Sequence, residues 1–482
     1  MDAHGSPAHP DSENVHLFQY TSGRWIYNEQ EQKRIRYTSF DIDALKRIAA
    51  GAAGANHCVQ MVKRAEGSFN KIFLLTFNND TTLIAKIPCP LVAPRRLCTA
   101  SEVATMDYAR TILGLPVPRV LSWSADADAS GVGTEYILME HMPDRELFYK
   151  EDVSTELQQR PLYAEGIEGG GSDRFRIGPC VDWDIWRGER SRLNADRGPW
   201  PDTLSYIRAI VDIEKQWLST FAVPRKPCDP FCRPDSGNAP DAHVRLLDDF
   251  LAVIPSIIPP DILCIPVLWH IDLHASNILV PCEGSSDIIG LIDWQGMSVR
   301  PLFLQATFAA CVRYDGDDRI TIHPGALHLK EQMRLAMMHK YYELRVMKYN
   351  HLYFASQVYP HTKYIIPPIL SASRTWYEGM HRLRQVLLDL QDAWEEIAPG
   401  TPFPIEWDAN EIAKHWEAYP RLKIHEERVQ QVVERLQLEG DGWVTNERYE
   451  KVREQNEFLI RNWNPRVGPY PFQEGGWSWF LS

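Results

Sequence analysis

From residue 40 onward the apolar and polar positions fall into runs whose period changes. FDIDALKRIAAGA (40–52) spaces its apolar residues three to four apart and predicts a helix. The spacing then gives way to short apolar and β-branched runs. Cys58 to Lys63, Lys71 to Phe77 and Thr81 to Ile87 read as strands. Asn78-Asn79-Asp80 supplies a tight turn between the last two, and the loop between the first two holds Gly67 and Ser68. The expectation is an antiparallel meander with a small flexible loop at one end. A helix over 99–113 follows, stopped by Gly114 and Pro116, and then a strand over 134–142. Together these make a small α+β lobe over about residues 41–142.

The remainder reads differently. EGIEGGGSD is a surface loop, and RGPWPDTLSYIRAIVDIEKQWL opens as a turn and becomes a helix. KPCDPFCRPDSGNAPDA is a Pro/Asp loop. Beyond residue 300, LKEQMRLAMMHKYYELRVM, SRTWYEGMHRLRQVLLDLQDAWEEI, ERVQQVVERLQ and NERYEKVREQNEFLI each carry helical spacing. No internal repeat is visible, and the second part is mainly α.

Composition narrows the function classes. With 482 residues the chain exceeds one small core, so two or three domains or lobes are expected. A net charge of −13, without a dense Lys/Arg run, argues against a nucleic-acid partner. Nine scattered cysteines suggest reduced thiols inside a cell rather than a disulfide scaffold. Cys228 and Cys232, four apart, have no second pair at zinc-ligand spacing. The most apolar window, 250–269, is broken by Pro255, Pro259, Pro260 and Pro266, so no transmembrane segment is expected. The opening MDAHGSPAHPDSEN carries acidic residues and no arginine, unlike a transit peptide, and reads as a disordered tail over 1–17.

The chemistry concentrates in LWHIDLHASNILV (268–280). His270, Asp272, His274 and Asn277 precede a strand-like run, and a polar turn leads to IIGLIDW, which ends at Asp293 and Trp294. One reading is a metal site built from His270, His274 and Asp272, although no further His or Cys cluster is nearby. The other folds the segment as a hairpin. Pairing Ile278 with Ile292 would set Asn277 opposite Asp293, with Asp272 on the loop entering that end. Phosphoryl transfer needs such a convergence: a carboxylate for the attacking hydroxyl, and an amide oxygen plus a second carboxylate for Mg²⁺. Asp272 suits the base, Asn277 and Asp293 the metal, and His270 braces the loop.

That chemistry also needs a cation for the nucleotide phosphates. Lys86, in LIAKIP, is costly in an apolar strand unless an anion meets it. Glu102, in the next helix, is the candidate partner, and the Gly67–Ser68 loop would offer backbone N–H groups to phosphate. Blander readings stand beside these. Thr99-x-x-Glu102 is also a capping box, Lys86 could snorkel from an edge strand, and Asp293 could merely end a strand. P-loop, HExxH and G-x-S-x-G signatures are absent.

Taken in order, GSFNKIFLLTF, LIAKIP, TASEVATMDYARTILGLPVPRVL, EYILMEHM and WHIDLHASNILV…IIGLIDWQGMSVRPLFLQ resemble the protein kinase superfamily, most closely its aminoglycoside phosphotransferase branch. YTSGRWIYNEQEQKRIRYTSFDIDAL and IGPCVDWDIW…DRGPW narrow the resemblance to the fungal group that includes altered inheritance of mitochondria protein 9. The single-glycine loop departs from G-x-G-x-x-G, and Asp293 is followed by Trp294-Gln295 rather than Phe-Gly.

The resemblance implies a two-lobed α+β kinase-like fold, with a small antiparallel-sheet lobe and a large mainly helical one. An N-terminal extension and nucleotide-binding lobe would occupy 18–142, and a helical lobe with the catalytic loop and substrate region 143–482. ATP and Mg²⁺ are the implied cofactors, with adenine against the strand ending near Glu140 to Met142, between the lobes. The implied reaction moves the γ-phosphoryl group to a hydroxyl of a small molecule. The alternative is a non-catalytic kinase-like module that binds nucleotide or a partner. The resemblance points to mitochondria, and the N-terminus, lacking a transit signal, to another intracellular place such as the cytoplasm. The acceptor and the oligomeric state are not legible.

Overall fold

The structure, a computed structural model, describes residues 14–92, 94–142, 145–146, 175–225, 238–281, 287–309, 312, 329–438, 441–466 and 468–472. Most of the expected tail, the EGIEGGGSD loop, and Cys228 with Cys232 lie outside these residues. The chain does not divide at a single cut. One compact unit joins Met1–Ala100, Val120–His141 and Trp416–Ser482; the other joins Ser101–Arg119 to Met142–His415.

The first unit is built on a five-stranded antiparallel sheet. Its strands run across as Cys58–Glu66, Asn70–Phe77, Thr82–Pro88, Tyr136–Glu140 and Val120–Ser124. The period-two pattern explains the sheet: Phe73, Leu75 and Phe77 are buried on one face of the second strand. The helix Ile42–Ala52 closes that face with Leu45 and Ala49. Its start is fixed by Asp41, whose Oδ1 accepts from the Ala44 amide at 2.8 Å. Each large apolar side chain buried here contributes about 1.5–3 kcal/mol. In the hairpin turn Asp80 takes a φ of +60°, which its short polar side chain tolerates. Strand Val120–Ser124, not expected from the sequence, is half-buried except at the exposed Trp123 and lacks a clean alternation.

The same unit has a second core. Gly23–Trp25 pairs antiparallel with Trp443–Thr445, so the extension before the sheet is zipped to the far end of the chain. Tyr27, Leu436, Val444, Val452 and Phe472 pack beside this pair.

The second unit is mainly helical. Thr203–Thr220, Pro240–Ile257, Thr362–Ala372 and Met380–Asp392 share one core with Phe250, Leu383 and Leu387 at its centre. The expected long helix over 373–397 is broken at Gly379, whose φ is +94°. A buried Arg190–Glu214 pair at 2.6 Å, with the guanidinium over the Trp217 ring, braces the first helix. A small sheet orders Gly290–Leu291, Ile278–Val280 and Arg145–Glu146. A unit built on five antiparallel strands and a larger, mainly helical unit make the expected α+β class.

Candidate functional site

In the larger unit the motif folds around a short hairpin, but not in the expected register. Leu279 faces Gly290 and Ile278 faces Leu291. Beyond the strands the Ile292 amide donates to the Asn277 carbonyl at 3.0 Å. Asn277 therefore faces Ile292, and Asp293 lies one step further on, a slip of one residue from the Ile278–Ile292 pairing. Glycine explains the slip. A Cβ at Gly290 would stand 2.8 Å from Leu279 Cδ1 and 3.0 Å from Met142 Sδ, so the bulk of Leu279 needs a partner without a side chain. The Leu291 amide donates to Pro116 O at 2.8 Å, which ties the hairpin edge to the loop after helix Leu97–Thr111.

The hairpin still gathers the polar groups. Asn277 is buried, and its Nδ2 donates to the Asp272 carbonyl at 2.9 Å and stands 3.5 Å from Asp272 Oδ2. With Nδ2 so engaged, Oδ1 is the atom left for a cation. Asp293 has a φ of +61°, so the backbone reverses at this residue. Trp294 anchors the reversal, its indole N–H donating to Leu291 O at 2.9 Å. The Asp272 side chain is 60% exposed, open to an incoming hydroxyl.

Both histidines serve the loop. His270 donates Nε2–H to Ile292 O at 3.0 Å and meets the Trp294 ring edge-on at 4.9 Å. Burial lowers its pKa, although the charges of Asp293 and Asp272 oppose the shift. His270 thus braces as a neutral ring, and both carboxylates act on it. The Ser276 amide donates to His274 Nδ1 at 3.2 Å, and His274 Nε2 stands 3.4 Å from Asp272 Oδ2 and 3.2 Å from Asn277 Nδ2. That contact with the candidate base was not expected from the sequence, where His274 entered only as a metal ligand. Among the described residues no three His, Cys, Asp or Glu side chains converge as a metal cluster.

The remaining candidates sit as follows. Lys86 is buried, in a strand flanked on both sides, opposite Ile72 and Ile137. An interior strand has no edge from which a lysine can snorkel, which removes that reading. Glu102 is buried on helix Leu97–Thr111. Thr99 lies inside that helix rather than at its cap, and its hydroxyl donates to Glu135 Oε2 at 2.6 Å, so the capping box is not formed. Gly67 opens the loop between the first two strands, and its amide donates to Asn70 O at 3.0 Å. The Ser68 carbonyl accepts from Arg36 Nε at 3.1 Å, a contact no local motif announces. Glu140 ends its strand in solvent, and Met142 lies against Gly290.

No helix among the described residues is long and apolar enough to cross a membrane. No family model matches the chain. A subtelomeric hrmA-associated cluster protein of Aspergillus fumigatus is 28% identical, aligned over 84% of this chain and 93% of its own. Altered inheritance of mitochondria protein 9, mitochondrial, of Candida tropicalis is 22% identical over 92% of this chain and 87% of its own. Among solved structures, the aminoglycoside phosphotransferase APH(4)-Ia is 11% identical with a TM-score of 0.33, covering 74% of this chain and 99% of that one. As the motif resemblance implied, the chain's sequence relatives include fungal altered inheritance of mitochondria protein 9, and its solved structural neighbours include aminoglycoside phosphotransferases and kinases.

Proposed function

We propose that the protein is an ATP-dependent phosphotransferase that moves the γ-phosphoryl group to a hydroxyl of a small molecule. The observation that carries this reading is the loop-and-hairpin arrangement in the larger unit. An exposed carboxylate stands 3.5 Å from a buried amide, and a second carboxylate follows the strand paired to that amide. In this reading Asp272 orients the acceptor hydroxyl and takes its proton as the new O–P bond forms. Asn277 Oδ1 and Asp293 are hard oxygen donors of the kind magnesium takes, one or two per site with phosphates completing the shell. Magnesium held there would neutralise charge on the transferring phosphoryl group. Lys86, with Glu102 as its carboxylate partner, would meet the α/β-phosphates. The Gly67–Ser68 loop would cover them, and the backbone from Glu140 to Met142 would line the adenine. The names of the fungal relatives support a mitochondrial location.

Exchanging Asp272 for asparagine keeps the shape and removes the base. Asp272→Asn is expected to bind Mg–ATP like the parent and to transfer phosphoryl about 10²–10⁴ times more slowly. Single-turnover consumption of ATP with an acceptor found by thermal-shift screening of hydroxylated metabolites measures both. Equal turnover in the two proteins would remove Asp272 from the base role. Nucleotide binding by the parent without turnover on any acceptor would favour the non-catalytic module.

A further inference from the structure

Arg36 is fully buried, 0% exposed, in the extension that precedes the sheet. Removing a guanidinium from water costs several kcal/mol unless its N–H groups all find partners. Here they do. Nη1 donates to Gln32 O and Oε1, Nε to Ser68 O at 3.1 Å, and Nη2 to Asp441 Oδ2 at 3.4 Å. The flat face lies over the Trp25 ring, 4.6 Å from its centroid. Asp441, 7% exposed, is itself held: its Oδ2 accepts from Trp25 Nε1 at 2.8 Å and its Oδ1 from the Trp443 amide at 3.1 Å.

The same residue grips the loop at a second point. Lys71 Nζ donates to the Arg36 carbonyl at 2.6 Å and pairs with Glu66 at 3.1 Å. Glu66 and Lys71 are the last ladder pair before the loop. Arg36 therefore holds the loop's stem through its backbone and its tip through its side chain. The Ser68–Phe69 peptide is trans, and a trans peptide points its C=O and N–H in opposite directions. Fixing the Ser68 carbonyl on Arg36 aims the Phe69 N–H away from Arg36, as an anion-binding loop requires.

We propose that Arg36 is the positioning residue of the Gly67–Ser68 loop and that the C-terminal segment, through Asp441, sets Arg36, so that the two ends of the chain together shape the loop for phosphate. The phosphate half rests on the phosphotransferase reading; the clamp does not. Two full-length variants separate them. Arg36→Lys keeps the charge and loses the bridge; the milder Asp441→Asn keeps an acceptor for Trp25 and loses the ion pair.

In both variants hydrogen exchange of the amides over 67–70 is expected to quicken about ten- to hundredfold, the size of one lost charged hydrogen bond. The Kd for Mg–ATP should rise by about the same factor while the Kd for adenosine, which has no phosphate, stays put. Unchanged exchange overturns the clamp. Faster exchange with unchanged Mg–ATP affinity, or equal loss of adenosine and Mg–ATP, overturns its role toward phosphate. A parent that binds no Mg–ATP sinks the phosphotransferase reading and the phosphate half with it, and the exchange rates then decide the clamp alone.

Discussion

His270 is a buried base that works by staying neutral. Its Nε2–H holds the Ile292 carbonyl, while Nδ1 is buried with no hydrogen-bond partner among the described residues. Protonating Nδ1 would bury an unpaired N–H and a charge together, which is why burial lowers its pKa. The sign of the linkage follows. Above the ordinary histidine value of about 6.5, neither folded nor unfolded chain holds the proton. As pH falls below it, the unfolded chain binds a proton that the folded one refuses. Stability is then lost until the lower folded pKa is reached, by at most about 1.4 kcal/mol per pH unit for one group. His270→Gln should abolish this component, visible as a shallower fall in urea-unfolding free energy from pH 7 to 5. Equal slopes in parent and variant would assign the acid sensitivity to another group.

At the scale of elements, the hairpin carrying Asn277 depends on one glycine. Gly290 has no need of a left-handed φ; what it supplies is room for Leu279 and Met142. Gly290→Ala should therefore cost about 1–3 kcal/mol by overpacking alone, measured by chemical denaturation. Adding Leu279→Val, which shortens the neighbour the new Cβ meets, should return part of the loss; no recovery would place the strain elsewhere.

This glycine also marks the limit of what the sequence could say. The strand over Lys71–Phe77 was readable because it is a short apolar and aromatic run ended by the polar triplet Asn78-Asn79-Asp80, which makes the turn. The loop of His270 and Asp272 was readable because its polar residues stand in fixed spacing before an apolar run. The register of the hairpin was not. A two-residue strand carries no alternation to count, so nothing in the sequence set leucine over glycine in place of the expected Ile278–Ile292 pairing. Nor could local pattern reveal Arg36 on Ser68 or Asp441 on Arg36. Those contacts join residues 32 and 405 positions apart, and neither Arg36 nor Asp441 stands in a motif that points to its partner.

The whole-molecule consequence is that the N-terminal unit is completed by the chain's last segment. Gly442 stands where that segment meets the extension. Its φ is +82°, and a Cβ there would lie 2.5 Å from Tyr27 Cε1. Neither atom is free to yield, since Tyr27 is buried in the second core and the Ile26 amide donates to Gly442 O at 3.1 Å. Gly442→Ala should cost about 2–4 kcal/mol, summing left-handed strain and overlap. Phe73→Ala, a cavity in the middle of the sheet's core, should cost about 3–5 kcal/mol. If the three stretches fold as one unit, both substitutions lower the same calorimetric transition, though more than 300 residues separate them in sequence. Two distinct transitions, each moved by only one substitution, would mean that residues 416–482 fold apart from the sheet. The loop contact from Asp441 through Arg36 would then persist only while that second transition is intact, because a side chain can hold a backbone carbonyl no more firmly than its own segment is folded.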